Sequence, residues 1–222
     1  PVTIYSRPIM RRSDREITSR TEIERRQDAC AEPIVTENRL YRYWKRWLVG
    51  GEIHHLFHFD LESGDLRDLT PDLNQLMAPD DPAGTFDISP DGTEVAYTAD
   101  VAPSPYDRFR FAIHTVRLDG SLPVQLLTDE QLPAQQTRPR YSPDGRYLTY
   151  GMQREPDFYA APVELVRHDR ATGQGIALTP HWDRSAGGWE YSPDGDIVLH
   201  ATHAGGMAVF LLAQGAIAVP AV

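Results

Sequence analysis

The sequence predicts an all-β protein, a β-propeller made of four-stranded antiparallel blades. Three observations predict it. The tetrapeptide Ser-Pro-Asp-Gly recurs at Ser89, Ser142 and Ser192, at separations of 53 and 50 residues. A leucine-threonine ending recurs at Thr70, Thr128 and Thr179, separated by 58 and 51 residues. Between these markers lie short runs rich in β-branched and aromatic residues, bounded by turn formers. Two independent markers with one period near ~50 residues, and four strands per unit, are the signature of a propeller blade.

Each element follows from local chemistry. Pro90, Pro143 and Pro193 preset φ for the second position of a type I turn, and Asp91, Asp144 and Asp194 suit the third. Gly92, Gly145 and Gly195 accept the left-handed conformation that follows, while Ser89, Ser142 and Ser192 can bond locally at the entry. These twelve residues are expected to be structural turns. The second strands are "TEVAYTA", "RYLTYG" and "DIVLHA", the first with Val95 and Tyr97 on one face. Third strands follow in "FRFAIHTVRLDG" (109–120), "APVELVRHDRATG" (161–173) and "GMAVFLLAQG" (206–215). A fourth short strand ends in Leu-Thr at 124–128 and 175–179. The same ending in "LRDLTP" (66–71) closes an earlier unit whose third strand is "HHLFHFDLESG" (54–64).

These markers place blades at 38–80 (first strand undefined), 84–136, 137–186 and 187–222. The last unit lacks a leucine-threonine ending. Since propellers hold about 4–8 blades, the chain reads as a partial propeller, about 3–4 blades of 6–8. A complete four-bladed ring and an antiparallel sandwich are the alternatives. Residues 1–37 read as a charged N-terminal segment or the remnant of a preceding blade. Within them, "RRSDREITSRTEIERRQD" (11–28) lacks alternation, and Ser13 with Glu16 has capping-box spacing, which suits a short solvated helix or a crossing segment.

The formal charge is 22 − 32 = −10, with no long basic run, so nucleic acid is not an expected partner. The local cluster "RYWKRW" (42–47) reads as a solvated or salt-bridged strand edge. Cys30 stands alone, which excludes an intrachain disulfide, and it lacks a neighbouring histidine to activate it. No signal peptide is visible, and a start at Pro1 suits a processing or cloning boundary. The most apolar run, "MAVFLLAQGAIAV" (207–219), is broken by Gln214 and Gly215. It is too short to span a bilayer and reads as two buried strands joined by a turn. A soluble protein of the cytoplasm or periplasm, without a membrane partner, is expected.

Several segments are more specific than the turn. The stretch "ENRLYRYWKRWLVGGEIHHLFHFDLESGDLRDLTP" (37–71), with "TRPRYSPDGRYLTYG" (137–151) and "HWDRSAGGWEYSPDG" (181–195), resembles the propellers of the prolyl oligopeptidase family of serine peptidases, in its acylaminoacyl-peptidase and dipeptidyl-aminopeptidase-like branch. The resemblance covers roughly residues 28–212. It implies a propeller that gates short peptide substrates above a separate α/β-hydrolase domain, which would carry the Ser-Asp-His triad. No G-x-S-x-G pentapeptide occurs here, and Ser185 in "DRSAGG" lacks the required glycine two residues before it. The chain alone is therefore expected to be inactive. The rival reading is a TolB-like module that binds protein partners across a propeller face. An open arc that completes its packing as a homo-oligomer is a further expectation.

Five residues are candidates for substrate contact: Arg154, Glu155 and Tyr159 in "QREPDFYA" (153–160), and Arg184 and Trp189 in "DRSAGGWE" (183–190). Both segments read as loops between strands, where rigid scaffolds commonly carry function. Trp182 and Trp189 can alternatively pack blade against blade. No Glu-Glu pair is present to hold a substrate amino terminus. The spacing of His54, His55 and His58, and of His200 and His203, puts no two imidazoles on one strand face in an H-x-H pair, so neither metal nor cofactor is expected.

Overall fold

The computed structural model describes residues 2–10, 41–44, 46–48, 52–79, 81–102, 108–121, 124–128 and 133–213. Among them the strands run β1 (Val2–Met10), β2 (Arg42–Tyr43), β3 (Arg46–Trp47), β4 (Glu52–Asp60), β5 (Leu66–Asp68), β6 (Phe86–Ile88), β7 (Glu94–Asp100) and β8 (Phe111–Arg117). They continue as β9 (Gln125–Leu126), β10 (Gln135–Tyr141), β11 (Tyr147–Gln153), β12 (Glu164–Asp169), β13 (Gln174–Ala177), β14 (Gly188–Tyr191), β15 (Ile197–His203) and β16 (Gly206–Leu212). Four antiparallel sheets follow one another: β1-β4-β5, β6-β7-β8-β9, β10-β11-β12-β13 and β14-β15-β16, with β2-β3 as a separate ribbon. The short ribbon is the form taken by the basic cluster, with Arg42 opposite Trp47.

Both sequence markers are hydrogen-bonding devices. In each Ser-Pro-Asp-Gly turn the glycine N–H donates to the serine carbonyl, at 2.8, 2.8 and 3.0 Å, with glycine φ of 68, 70 and 89°. Ser89 and Ser142 also donate Oγ–H to Asp91 and Asp144 Oδ1 at 2.6 Å and accept the backbone N–H of Glu94 and Tyr147 at 3.0 and 2.9 Å. The third turn is one residue tighter, since Ser192 closes on Asp196, where Ser89 closes on Glu94 and Ser142 on Tyr147. All three serines hold the same place, between the first and second strands of their sheets.

The threonine ending does a different job. Thr70, Thr128 and Thr179 Oγ1 accept the N–H of Leu56, Ile113 and Leu165, at 3.0, 2.9 and 2.9 Å. In each case the preceding leucine N–H bonds the carbonyl of that same third-strand residue at 2.8 Å. The fourth strand ends there, and the hydroxyl supplies the acceptor its backbone no longer offers. Leu56, Ile113 and Leu165 are each 0% exposed, so without that oxygen their amides would be orphaned.

Packing between sheets is apolar. Leu56, Leu69 and Met77 meet Val95, Tyr97 and Ala99; Ala96 and Ile113 meet Tyr141, Leu148 and Met152; Leu165 and Leu178 meet Trp189, Leu199 and Phe210. Each large side chain fully buried this way contributes about 1.5–3 kcal/mol. The first strands β6, β10 and β14 lie next to one another, forming the inner edge of the stack. On it, Asp87, Arg140 and Glu190 stand at equivalent register, opposite Ala96, Thr149 and Val198.

Within the segment read as charged or as the remnant of a preceding blade, Val2–Met10 is a nine-residue strand paired along its whole length with β4. One expectation is corrected. The run 207–219, read as two buried strands, contains β16, which buries Phe210 and Leu212 but exposes Met207, Val209 and Leu211. Val209 holds the register position of Leu56, Ile113 and Leu165 yet is 67% exposed, because no following sheet covers it among the described residues. Cys30, the Ser13–Glu16 helix and residues 214–222 lie outside the described residues.

Candidate functional site

The candidate loops emerge on one face, opposite the Ser-Pro-Asp-Gly turns. One joins β11 to β12, the other β13 to β14. The first is held rigidly by Gln153, whose Nε2 donates to the carbonyls of Phe158, Tyr159 and Ala161 at 3.3, 3.1 and 2.7 Å. Asp157 accepts from Arg108 of the preceding sheet at 2.7 Å. These bonds fix a loop tip whose rings face water: Phe158 is 54% and Tyr159 93% exposed. Arg154 turns back to Glu164 at 2.9 Å, while Glu155 is exposed and its carbonyl accepts the Phe158 N–H.

The second loop is tied to the first. Ser185 Oγ accepts the Val163 N–H at 3.0 Å, which is a structural role. Arg184 bridges Asp183 at 2.5 Å and His203 Nδ1 at 2.9 Å. Gly187 and Gly188 pack closely against the His200 ring: a Cβ added to Gly187 would come within 2.4 Å of it, and one on Gly188 within 2.8 Å. Trp189 is buried and packs between sheets, so of the five candidates it is the one withdrawn from the surface. Trp182 is half-buried, edge-on to Phe210 with centroids 5.2 Å apart.

Arg138 was not among the candidates. It lies at a bulge in β10, where the register shifts between Thr137 and Arg140, and its φ is +55°. Its guanidinium is exposed and donates to the Gly187 carbonyl. Two residues on, Arg140 bonds Glu190 at 2.9 Å and the Gly84 carbonyl at 3.1 Å. Burial pushes the Asp87 carboxyl above the ordinary aspartate range, against the pull of the Tyr141 N–H and the Arg140 charge. The Asp91 and Asp144 carboxyls are held low, foremost by the serine hydroxyls of their own turns.

On the opposite face a depression of about 100 Å³ lies between the second and third turns. Arg167 lies across it, stacked on Tyr147 at 4.6 Å. It is too small for a peptide. His55 is committed inside the protein, with its ring nitrogens 2.7 Å from Asp68 Oδ2 and 2.9 Å from the Leu73 carbonyl. Among the described residues no group of three His, Cys, Asp or Glu side chains could hold a metal ion, and no helix is long and apolar enough to cross a membrane.

No protein-family model matches the chain. It is 26% identical over 207 residues to the Probable dipeptidyl-peptidase 5 of Emericella nidulans, a match covering 83% of this chain and 29% of that protein. The chain is a distant homologue of dipeptidyl-peptidase 5. The Aspergillus oryzae dipeptidyl-peptidase 5 aligns over 159 residues at 26% identity, covering 66% of this chain and 22% of that one. The chain thus spans less than a third of the length of the curated relatives it matches. Among solved structures, a puromycin hydrolase variant in complex with PGG superposes with a TM-score of 0.54 at 20% identity, over 78% of this chain and 29% of that one. A TolB candidate of Agrobacterium tumefaciens gives a TM-score of 0.54 at 22% identity, over 76% and 56%. At these identities the likeness is one of fold, and it is a likeness to β-propeller proteins.

Proposed function

We propose that this chain is the substrate-gating propeller portion of a prolyl-oligopeptidase-family serine peptidase acting on short peptides. Its blades would frame an entrance that admits extended peptides and rejects folded proteins. The loops around Arg154, Glu155, Tyr159 and Arg184 would face the incoming peptide or an α/β-hydrolase partner. Acyl transfer needs a nucleophile, a base and oxyanion donors held together, and these would be supplied by that partner.

What supports this reading is the alignment with dipeptidyl-peptidase 5 across 83% of the chain. The coding sequence after Val222 tests it. Continuation into an α/β-hydrolase with a G-x-S-x-G element is the expected result. A stop codon directly after Val222 would contradict it and favour the TolB-like binding module.

A further inference from the structure

The inner strand β10 holds one residue in a conformation its neighbours resist. Arg138 takes φ +55°, a left-handed angle costly for any side chain other than glycine, and Pro139 follows it. A residue before proline is normally driven to extended backbone. The strain is maintained by a bulge, a device that re-aims a side chain. Here it turns the Arg138 guanidinium outward at the inner edge of the stack, on the face that carries the two candidate loops.

Arg108, Arg117, Arg140, Arg146, Arg154, Arg170 and Arg184 all stand within ion-pair distance of an aspartate or glutamate. Arg138, like Arg67, Arg110 and Arg167, has no such partner among the described residues, and its side chain is exposed. Its bond to the Gly187 carbonyl engages NH1 and leaves the rest of the donor fork open. That carbonyl is itself fixed, because Gly187 donates its N–H to the His200 carbonyl at 2.9 Å and packs closely against the His200 ring.

We propose that Arg138 is a carboxylate anchor at the inner edge of the stack, binding a peptide's C-terminal carboxylate or an acidic side chain. Two parallel N–H···O bonds suit a planar carboxylate, and a pre-fixed fork loses little freedom on binding. The assignment rests on the peptide-handling reading above, and its test separates the two. Binding of trialanine, trialanine amide and N-acetyl-glutamyl-alanine amide to the 222-residue chain is followed by ¹⁵N NMR.

The expected result is saturable binding of trialanine that shifts the Gly187 and Gly188 amides, with the amide roughly tenfold or more weaker. Binding of the glutamyl peptide instead would mark a side-chain carboxylate as the ligand. Arg138→Gln abolishes the discrimination, and Arg138→Lys keeps part of it. Arg138→Gly, which accepts the left-handed angle freely, loses binding while melting at or above the wild-type temperature. Equal affinity for acid and amide overturns the anchor but leaves peptide handling intact. Absence of saturable binding, unchanged binding by Arg138→Gln, or a marked fall in the melting temperature of Arg138→Gly also overturns it. The last outcome would make the guanidinium a staple for the 181–187 loop.

Discussion

Thr179→Val isolates the device that the leucine-threonine endings encode. Valine matches threonine in shape but removes the oxygen that accepts the Leu165 N–H at 2.9 Å. Leu165 is 0% exposed and Thr179 1%, so water cannot replace the lost acceptor. A buried amide left without a partner costs about 1–3 kcal/mol. With a urea m-value of about 3 kcal/mol/M, the unfolding midpoint falls by about 0.3–1 M. Thr179→Ser is the control, since it keeps the hydroxyl and loses one methyl, worth about 0.8 kcal/mol. Equilibrium urea titration followed by tryptophan fluorescence reads both. A valine variant within about 0.5 kcal/mol of wild type would contradict an acceptor role for the Thr179 hydroxyl, as would a serine variant that loses as much as the valine one. The same substitutions at Thr70 and Thr128 should behave alike, because their oxygens accept equivalent amides.

Two further outcomes follow from the packing. Gly151→Ala would place a Cβ 2.6 Å from Trp189 Cη2 and 2.7 Å from Val163 Cγ1, and should cost about 1–3 kcal/mol in a thermal or urea melt. Asp87→Asn should change the pH dependence of stability. The Asp87 carboxyl has a raised pKa in the folded state, chiefly through burial. The native state therefore binds more protons than the unfolded chain above pH ~4, and wild-type stability falls as pH rises from there through the folded pKa. The asparagine variant lacks this loss, so its stability relative to wild type should improve between acid and neutral pH. A constant difference between the two proteins across that range would contradict the assigned cause.

Local chemistry made much of this protein readable from its sequence. Ser-Pro-Asp-Gly and Leu-Thr are both recognisable because each does its work within a few bonds of itself. The tighter third turn is also legible, since the run after Gly195 reaches its first buried strand residue, Ile197, one position sooner than the run after Gly145 reaches Leu148. What stayed open or escaped depends on distant partners. Val2–Met10 becomes a strand because β4, some 50 residues on, offers it an edge. Trp189 could be read as a ligand platform or as blade-to-blade packing, and what decides for packing is Gly151 on the neighbouring sheet, which leaves the space that buries its indole. Gln153 gave no signal, because nothing in a glutamine announces that it will hold three carbonyls of the following loop. Arg138 did leave a trace. An Arg-Pro pair inside a strand marks a place where regular pairing is hard to sustain, and there the ladder bulges.

Under the proposed function there is a division of labour, in which these sheets would frame an entrance and bond-breaking would belong to a separate hydrolase partner. Incubating the purified chain with a fluorophosphonate and weighing it intact by mass spectrometry tests this most directly. An unchanged mass is the predicted result. Addition of one phosphonyl group to any serine, Ser185 above all, would reveal an activated nucleophile and contradict the division.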